Sequence, residues 1–465
     1  AYREMAAIHE VTGNWDAAID SLTYALGLTV VSEQMPVRAR LLSTLGQIYQ
    51  RRGMPQEAVR SLELSMRISQ RIEDYETLAE SLIALGRTYA FSGDYDAASK
   101  QLARAQKVSR STNDLRHEGL ALYYQGMVLR NQNRFDQATE YYRVAQDKFE
   151  RLGDRRLVTY PVYDMGVVQQ YQGYLERSWQ SFEQALGVYE EIGYQSGAAA
   201  ALLNLGVLRD RRGDFESALT YFQQSRDIAE AIDEKLAIAY ALFSIGAAYY
   251  KLHDYRKSLA YLKDSLKIMQ SLKAKGYYGY PLSFLSSLYA RTGATDRAIR
   301  MAHIHLRNVE DIRSDVENGR AYLSLAMALW HYPAHSGESD KLLRDINRIG
   351  GIEETSAEAY FHKALEVSDE AGYVNTLIPA HYLFARFARA QGRDTEFLDH
   401  LAEAYRLAKS AQWDRFVGNL GDQYPELVAR FEQSADGAGG AGGAESSAAP
   451  RESHGAGAGA GDRSG

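Results

Sequence analysis

The chain of 465 residues contains no cysteine. Disulfides, thiolate metal sites, iron–sulfur clusters and a cysteine nucleophile are therefore excluded. The same absence fits a reducing compartment, so a cytoplasmic location is expected. Proline is scarce, at eight residues, and long stretches are free to continue as helix. No run approaches the roughly 18 apolar residues of a membrane span. The N-terminus has no basic region followed by an apolar stretch, so neither a membrane partner nor a signal peptide is read. Phosphate loops, Rossmann glycine runs, nucleophile elbows and His-Glu-x-x-His strings are missing too, which argues against an enzyme and against a bound cofactor. Positive charge is also short. Lys and Arg number 53 against 60 Asp and Glu, a net charge of −7. A nucleic-acid-binding surface needs the reverse, and direct nucleic-acid binding is not expected.

What is present is a pattern of small residues with a period of 40. Glycines fall at Gly13, Gly53, Gly93, Gly173, Gly213 and Gly293, with Asn133 and His253 filling the gaps. A second series runs Gly46, Gly86, Gly126, Gly166, Gly206, Gly246, then Ser286 and Ala326. A third runs Ala18, Ala58, Ala98, Ala138, Ser178, Ala218, Ser258 and Ala298, and a fourth runs from Ala25 through Ser65 and Ala105 to Ser265. Glycine just after an apolar helical stretch marks a turn where a left-handed backbone is cheap. Asn14, Asp94, Asp214 and Asp254 then stand as N-caps of a following helix. Apolar residues return at helical spacing, as in Ala218, Leu219, Phe222 and Ile228. Each unit is therefore helix A, tight turn, helix B, with small residues where the two helices cross closely. One such pair cannot bury its apolar face, so the pairs must stack into a solenoid.

The pattern resembles the tetratricopeptide repeat family. That family has a small residue in helix A, a glycine seven later, and alanines five and twelve beyond that. Gly206, Gly213, Ala218 and Ser225 match it, as do Gly86, Gly93, Ala98 and Ala105. The length of the unit is similar to the forty-residue class found in kinesin light chains, polarity scaffolds and bacterial regulatory proteins. The resemblance covers residues 1–410 and implies an all-α, right-handed superhelix of about ten units. The family's Leu-x-Asn-Leu-Gly string occurs once, at Leu202–Gly206; elsewhere Thr44, Ala84, Tyr124, Asp164 and Ser244 replace the asparagine. HEAT-type arrays share the period but not the glycine and alanine positions.

Three departures from the register stand out. The first repeat lacks the start of its helix A, so a longer polypeptide is expected upstream. Repeat 9 has its turn near Pro333 but its helix B alanines only at Ala357 and Ala364, so an insertion around 333–355 is expected, with a short helix within Ser339–Gly350. After repeat 10, residues 411–433 read as a capping helix and 434–465 as a disordered Gly/Ala/Ser-rich tail.

The resemblance also implies that successive A helices line a concave, ligand-binding face. Carried onto this sequence, the groove candidates are Arg87, Tyr124, Arg130, Tyr163, Asp164, Tyr171, Asn204, Arg211, Tyr250 and Lys251. Tyrosine suits partner contact because it offers a rigid ring and a hydroxyl. Groove positions of repeats 2 to 9 hold Arg40, Arg51, Arg87, Arg130, Arg211, Lys251, Arg291 and Arg320 against Glu80, Asp164 and Asp210. That excess would draw an acidic peptide or a C-terminal carboxylate. Arg51, Arg211, Lys251 and Arg291 fall in last turns of A helices, where a cation also favours the helix dipole. Arg87 and Arg130 are therefore the leading charged candidates. His303 with His305, and His331 with His335, have poor ligand spacing or an intervening Pro333, and no metal is expected there.

These readings point to a non-catalytic protein- or peptide-binding scaffold, part of a longer signalling or regulatory protein. The alternative is a ligand-sensing region of a bacterial transcription activator or signalling ATPase. The stretch with Ala404, Leu407, Ala408, Trp413, Phe416 and Leu420 loosely resembles the end of the sensor region in activators of the maltose-regulator type.

Overall fold

A computed structural model describes residues 15–29, 34–52, 54–132, 134–272, 277–312, 315–331, 336–353, 355–370, 374–410 and 413–439. Among these the only regular elements are helices, 22 of them. Repeat 3 shows the plan. Helix A is Tyr75–Phe91 and helix B is Tyr95–Ser111, each 17 residues long. Repeat 4 places A at Leu115–Asn131 and B at Phe135–Leu152, and repeat 5 at Arg155–Tyr171 and Leu175–Glu191. Repeat 6 has Gln195–Arg212 and Phe215–Ala231; repeat 7 has Lys235–Lys251 and Tyr255–Ser271.

The turn chemistry explains the period. Left-handed residues occur at Glu73, Gly93, Asn113, Gly153, Gly173, Gly193, Gly213, Asp233, His253 and Gly293, on a spacing of 20. The A-to-B and B-to-A turns are thus the same device, and two of them make forty. Aspartates cap both kinds of helix. Asp94, Asp214 and Asp254 accept from the backbone N–H of Ala97, Ser217 and Lys257 at helix B. Asp74, Asp114 and Asp154 accept from Thr77, His117 and Leu157 at helix A. Each such cap contributes about 1 kcal/mol. Gly13, Asn14, Gly53, Asn133 and the expected open edge of repeat 1 lie outside the described residues.

The small residues mark the crossing of A on B. A Cβ on Gly46 or Gly86 would sit 2.5 or 2.6 Å from Leu62 or Leu102. Gly126 and Gly206 face the rings of Tyr142 and Phe222 equally closely. In each case the bulky partner lies sixteen residues on, in helix B. Where the fourth series carries serine, its hydroxyl is satisfied inside the crossing. Ser65, Ser225 and Ser265 donate to the carbonyls of Ala39, Ala199 and Ala239, at 2.6, 2.8 and 2.7 Å.

Successive A helices approach one another along repeats 2 to 5 and 6 to 8, whereas successive B helices do so far less. A stack with closer A helices must curve toward them, and the A helices form its inner face. The fold of this unit is a solenoid of about ten repeats, as the small-residue series implies.

Repeat 9 is interrupted. Its A helix, Asp315–His331, pairs with Ala357–Glu370, and Gly319 fits against Ser368. Between them Gly337–Gly350 forms an extra helix that packs instead on helix B of repeat 8, Thr295–Ile312. Asp296 holds its start through the Ser336 N–H at 2.9 Å, and Asp345 accepts from Arg307 at 2.6 Å and bonds His303 at 2.7 Å. Repeat 10 follows as Val374–Ala390 and Asp394–Ser410.

The described chain divides after Arg415 into two compact units. The segment read as one capping helix consists of two, Asp414–Gln423 and Pro425–Gly439, broken at the proline. The second runs past position 434 to Gly439, and residues 440–465 lie outside the described set.

Gly206→Val should destabilise the array by about 1–3 kcal/mol, because Phe222 has no room to retreat. Combined with Phe222→Ala it should cost less than the sum of the two single changes. Urea midpoints of the four proteins measure this coupling, and simple additivity would show that the crossing is not tight.

Candidate functional site

The inner face is built from side chains that reach from one A helix to the next. The offset is regular: Tyr123 to Asp164, Tyr163 to Asn204, Gln170 to Arg211, and Asp210 to Lys251 are each 41 apart. A helices repeat every 40 residues and lie parallel, so a residue meets its neighbour one position out of register.

Repeats 4 and 5 hold the tightest group. Asp164 is buried and accepts from the Tyr123 hydroxyl at 2.5 Å and from the Arg130 guanidinium. Burial, and then the Asp164 charge, push the Tyr123 phenol well above its ordinary value. Burial opposes the charge on Arg130, but Asp164 more than offsets it and keeps the guanidinium ionised. Asn204 donates to the Tyr163 hydroxyl at 2.6 Å, and Arg211 donates to the Gln170 carbonyl at 3.0 Å. Lys251 meets Asp210 at 2.5 Å.

Aromatic contacts complete the row. The Arg87 guanidinium lies 5.0 Å above the Tyr124 ring, and Arg291 lies 5.7 Å from Tyr250. Tyr250 meets Phe284 edge-on at 5.7 Å, and Tyr171 stacks on Phe135 at 5.9 Å. Tyr171 stays 42 % exposed, and Phe91, at the equivalent position of repeat 3, is 72 % exposed.

All ten candidates are therefore found on helices that line the inner face, but their roles differ. Arg130 and Asp164, expected as charges facing a ligand, close on each other, as do Lys251 and Asp210. The basic excess shrinks further. Arg40 lies 3.9 Å from Asp74, and Arg320 lies 2.9 Å from Glu317, two acids outside the positions used to count charge. The side chain of Arg51 is outside the described residues. Arg87 faces a ring and has no carboxylate partner among the described residues.

Both histidines of the first weighed pair have their own acids. His303 bonds Asp345, and the fully buried His305 bonds Glu317 at 3.0 Å. His335 lies outside the described residues. The spacing missed by sequence reading is Glu-x-x-x-His, present at Glu358/His362 and again at Glu396/His400. Ligand atoms of Glu358, His362 and Glu396 come within 4.8 Å of one another.

Two family models described as tetratricopeptide repeat match the chain, one at residues 37–111, 158–231 and 197–271, the other at 83–151. No curated protein sequence matches. Among solved structures, a Rap protein complexed with competence and sporulation factor aligns with a TM-score of 0.55 and 15 % identity, over 82 % of this chain and 99 % of that one. The apo form of the quorum sensor NprR from B. thuringiensis aligns with a TM-score of 0.51 and 16 % identity, over 76 % and 97 %. At these identities the likeness is one of fold.

Two measurements check the electrostatics of these buried groups. Asp164→Ala strands Arg130 and should cost about 3–5 kcal/mol in urea unfolding. Burial lowers the pKa of His305 despite the Glu317 bond, so the folded state holds it neutral. An unfolded histidine takes up a proton below about pH 6.5, and stability should fall as pH drops through that range. His305→Gln should lose less stability than the parent between pH 7.5 and 5.5.

Proposed function

The chain is a tetratricopeptide repeat protein, and from that premise we propose that it is a non-catalytic scaffold whose inner A-helix face binds an extended peptide. The observation that carries this reading is the exposure of Phe91 and Tyr171 at matching ends of A helices, on a face whose neighbouring side chains are already bonded to one another. An aromatic anchor on a preorganised surface gains affinity because little further ordering is needed. Arg87, held over Tyr124, adds a cation that suits a peptide carboxylate. The Rap structure was solved in complex with competence and sporulation factor, an analogy of fold that supports a binding role. The binding takes place in the cytoplasm. The lack of cysteine supports this, and no described helix is long and apolar enough to cross a membrane.

The test is selection from a random linear peptide display library, followed by fluorescence anisotropy on the enriched peptide. Phe91→Ser, Tyr171→Ser and Arg87→Glu should each weaken binding about tenfold, close to 1.4 kcal/mol. Leu64→Ser, on the exposed side of a B helix, should leave it unchanged. Enrichment of no peptide, or of peptides indifferent to all three changes, would defeat the reading and favour a small-molecule ligand.

A further inference from the structure

We infer that Glu358, His362 and Glu396 form a binding site for a divalent transition-metal ion, tying helix B of repeat 9 to helix B of repeat 10. Residues four apart share a helix face, so Glu358 and His362 stand one above the other on Ala357–Glu370. Glu396 comes from Asp394–Ser410, and the three ligand atoms lie within 4.8 Å of one another.

Three further observations support a built site. Arg393 Nη1 lies 2.7 Å from Glu358 Oε1 and 2.8 Å from Glu396 Oε2. It contacts one oxygen of each carboxylate and holds the two acids together. Two carboxylates and one guanidinium keep a net negative charge on the cluster, which favours a cation. The His362 imidazole makes no hydrogen bond among the described residues, yet it is held edge-on to Phe384 with centroids 4.8 Å apart. It is an oriented nitrogen donor without another task. The second face of the Phe384 environment is closed by His400, stacked at 4.4 Å and bonded to His381 at 2.9 Å.

One imidazole and two carboxylates suit a borderline ion such as Zn²⁺ better than Mg²⁺ or Ca²⁺, which prefer oxygen alone. Three protein ligands leave a position for water. A metal here adds a cross-link between the last two repeats, so the ligand-bound array should unfold later.

The experiment uses the full, untagged chain, stripped with chelator and titrated with zinc sulfate by calorimetry. One ion should bind with a Kd in the micromolar range or below, and the thermal midpoint should rise with zinc. His362→Ala and Glu396→Gln should each weaken binding at least tenfold and abolish the rise. His362 is exposed, so its replacement does not threaten the fold. His303→Ala should bind as the parent does. No binding below about 100 µM would overturn the proposal. So would zinc binding that survives His362→Ala but is lost in His381→Ala, which would assign the ion to the histidine pair instead.

Discussion

The structure depends on one contact, made again in repeats 2 to 7: a glycine in helix A against a bulky residue sixteen positions on in helix B. Where the small residue is Gly206, the facing Phe222 is almost wholly buried. Burying such a ring contributes about 1.5–3 kcal/mol, and each repeat adds its share along the array. The close crossing also fixes how the A helices stand relative to one another. Their side chains can then bridge from repeat to repeat, which the inner face requires.

Much of this was legible because glycine and alanine carry so few alternatives. A helical glycine forty residues from the next has little reason to persist except a close approach. The turns were only half legible. Gly93, Gly173 and Gly213 announce a left-handed backbone and His253 takes their place in the series, but Glu73, Asn113 and Asp233 adopt the same conformation at B-to-A turns outside that series. A left-handed side-chain residue costs about 1–2 kcal/mol, which a well-capped helical hairpin tolerates. The unit of twenty was therefore hidden inside the period of forty. The inserted helix was visible within Ser339–Gly350, but what it packs on was not, because that depends on Asp296 and Asp345 meeting partners in three dimensions.

The inner face shows where reading positions along a sequence stops. The family pattern places Arg130, Asp164, Asp210 and Lys251 on A helices. It says nothing of which side chain each one meets. Counting charges at those positions alone left out Asp74 and Glu317, which lie a turn away and pair with Arg40 and Arg320. A buried charge without a partner is costly, so acids and bases on a crowded face find each other before any ligand does. What stays exposed is the aromatic side chain that such pairing cannot absorb, Phe91 and Tyr171 foremost.

The bridges also bear on how a ligand can act. The bonds from Tyr123 to Asp164, Tyr163 to Asn204, Gln170 to Arg211 and Asp210 to Lys251 link repeats 4 through 7 without a gap. Changing the pitch over this stretch would stretch every bond at once, and Asp164 is too buried for water to replace Arg130 and Tyr123. A ligand can shift an array only by the difference in its affinity for two states. Along repeats 4 to 7 a competing state loses several of these polar contacts, so the geometry of this stretch is set before any ligand arrives.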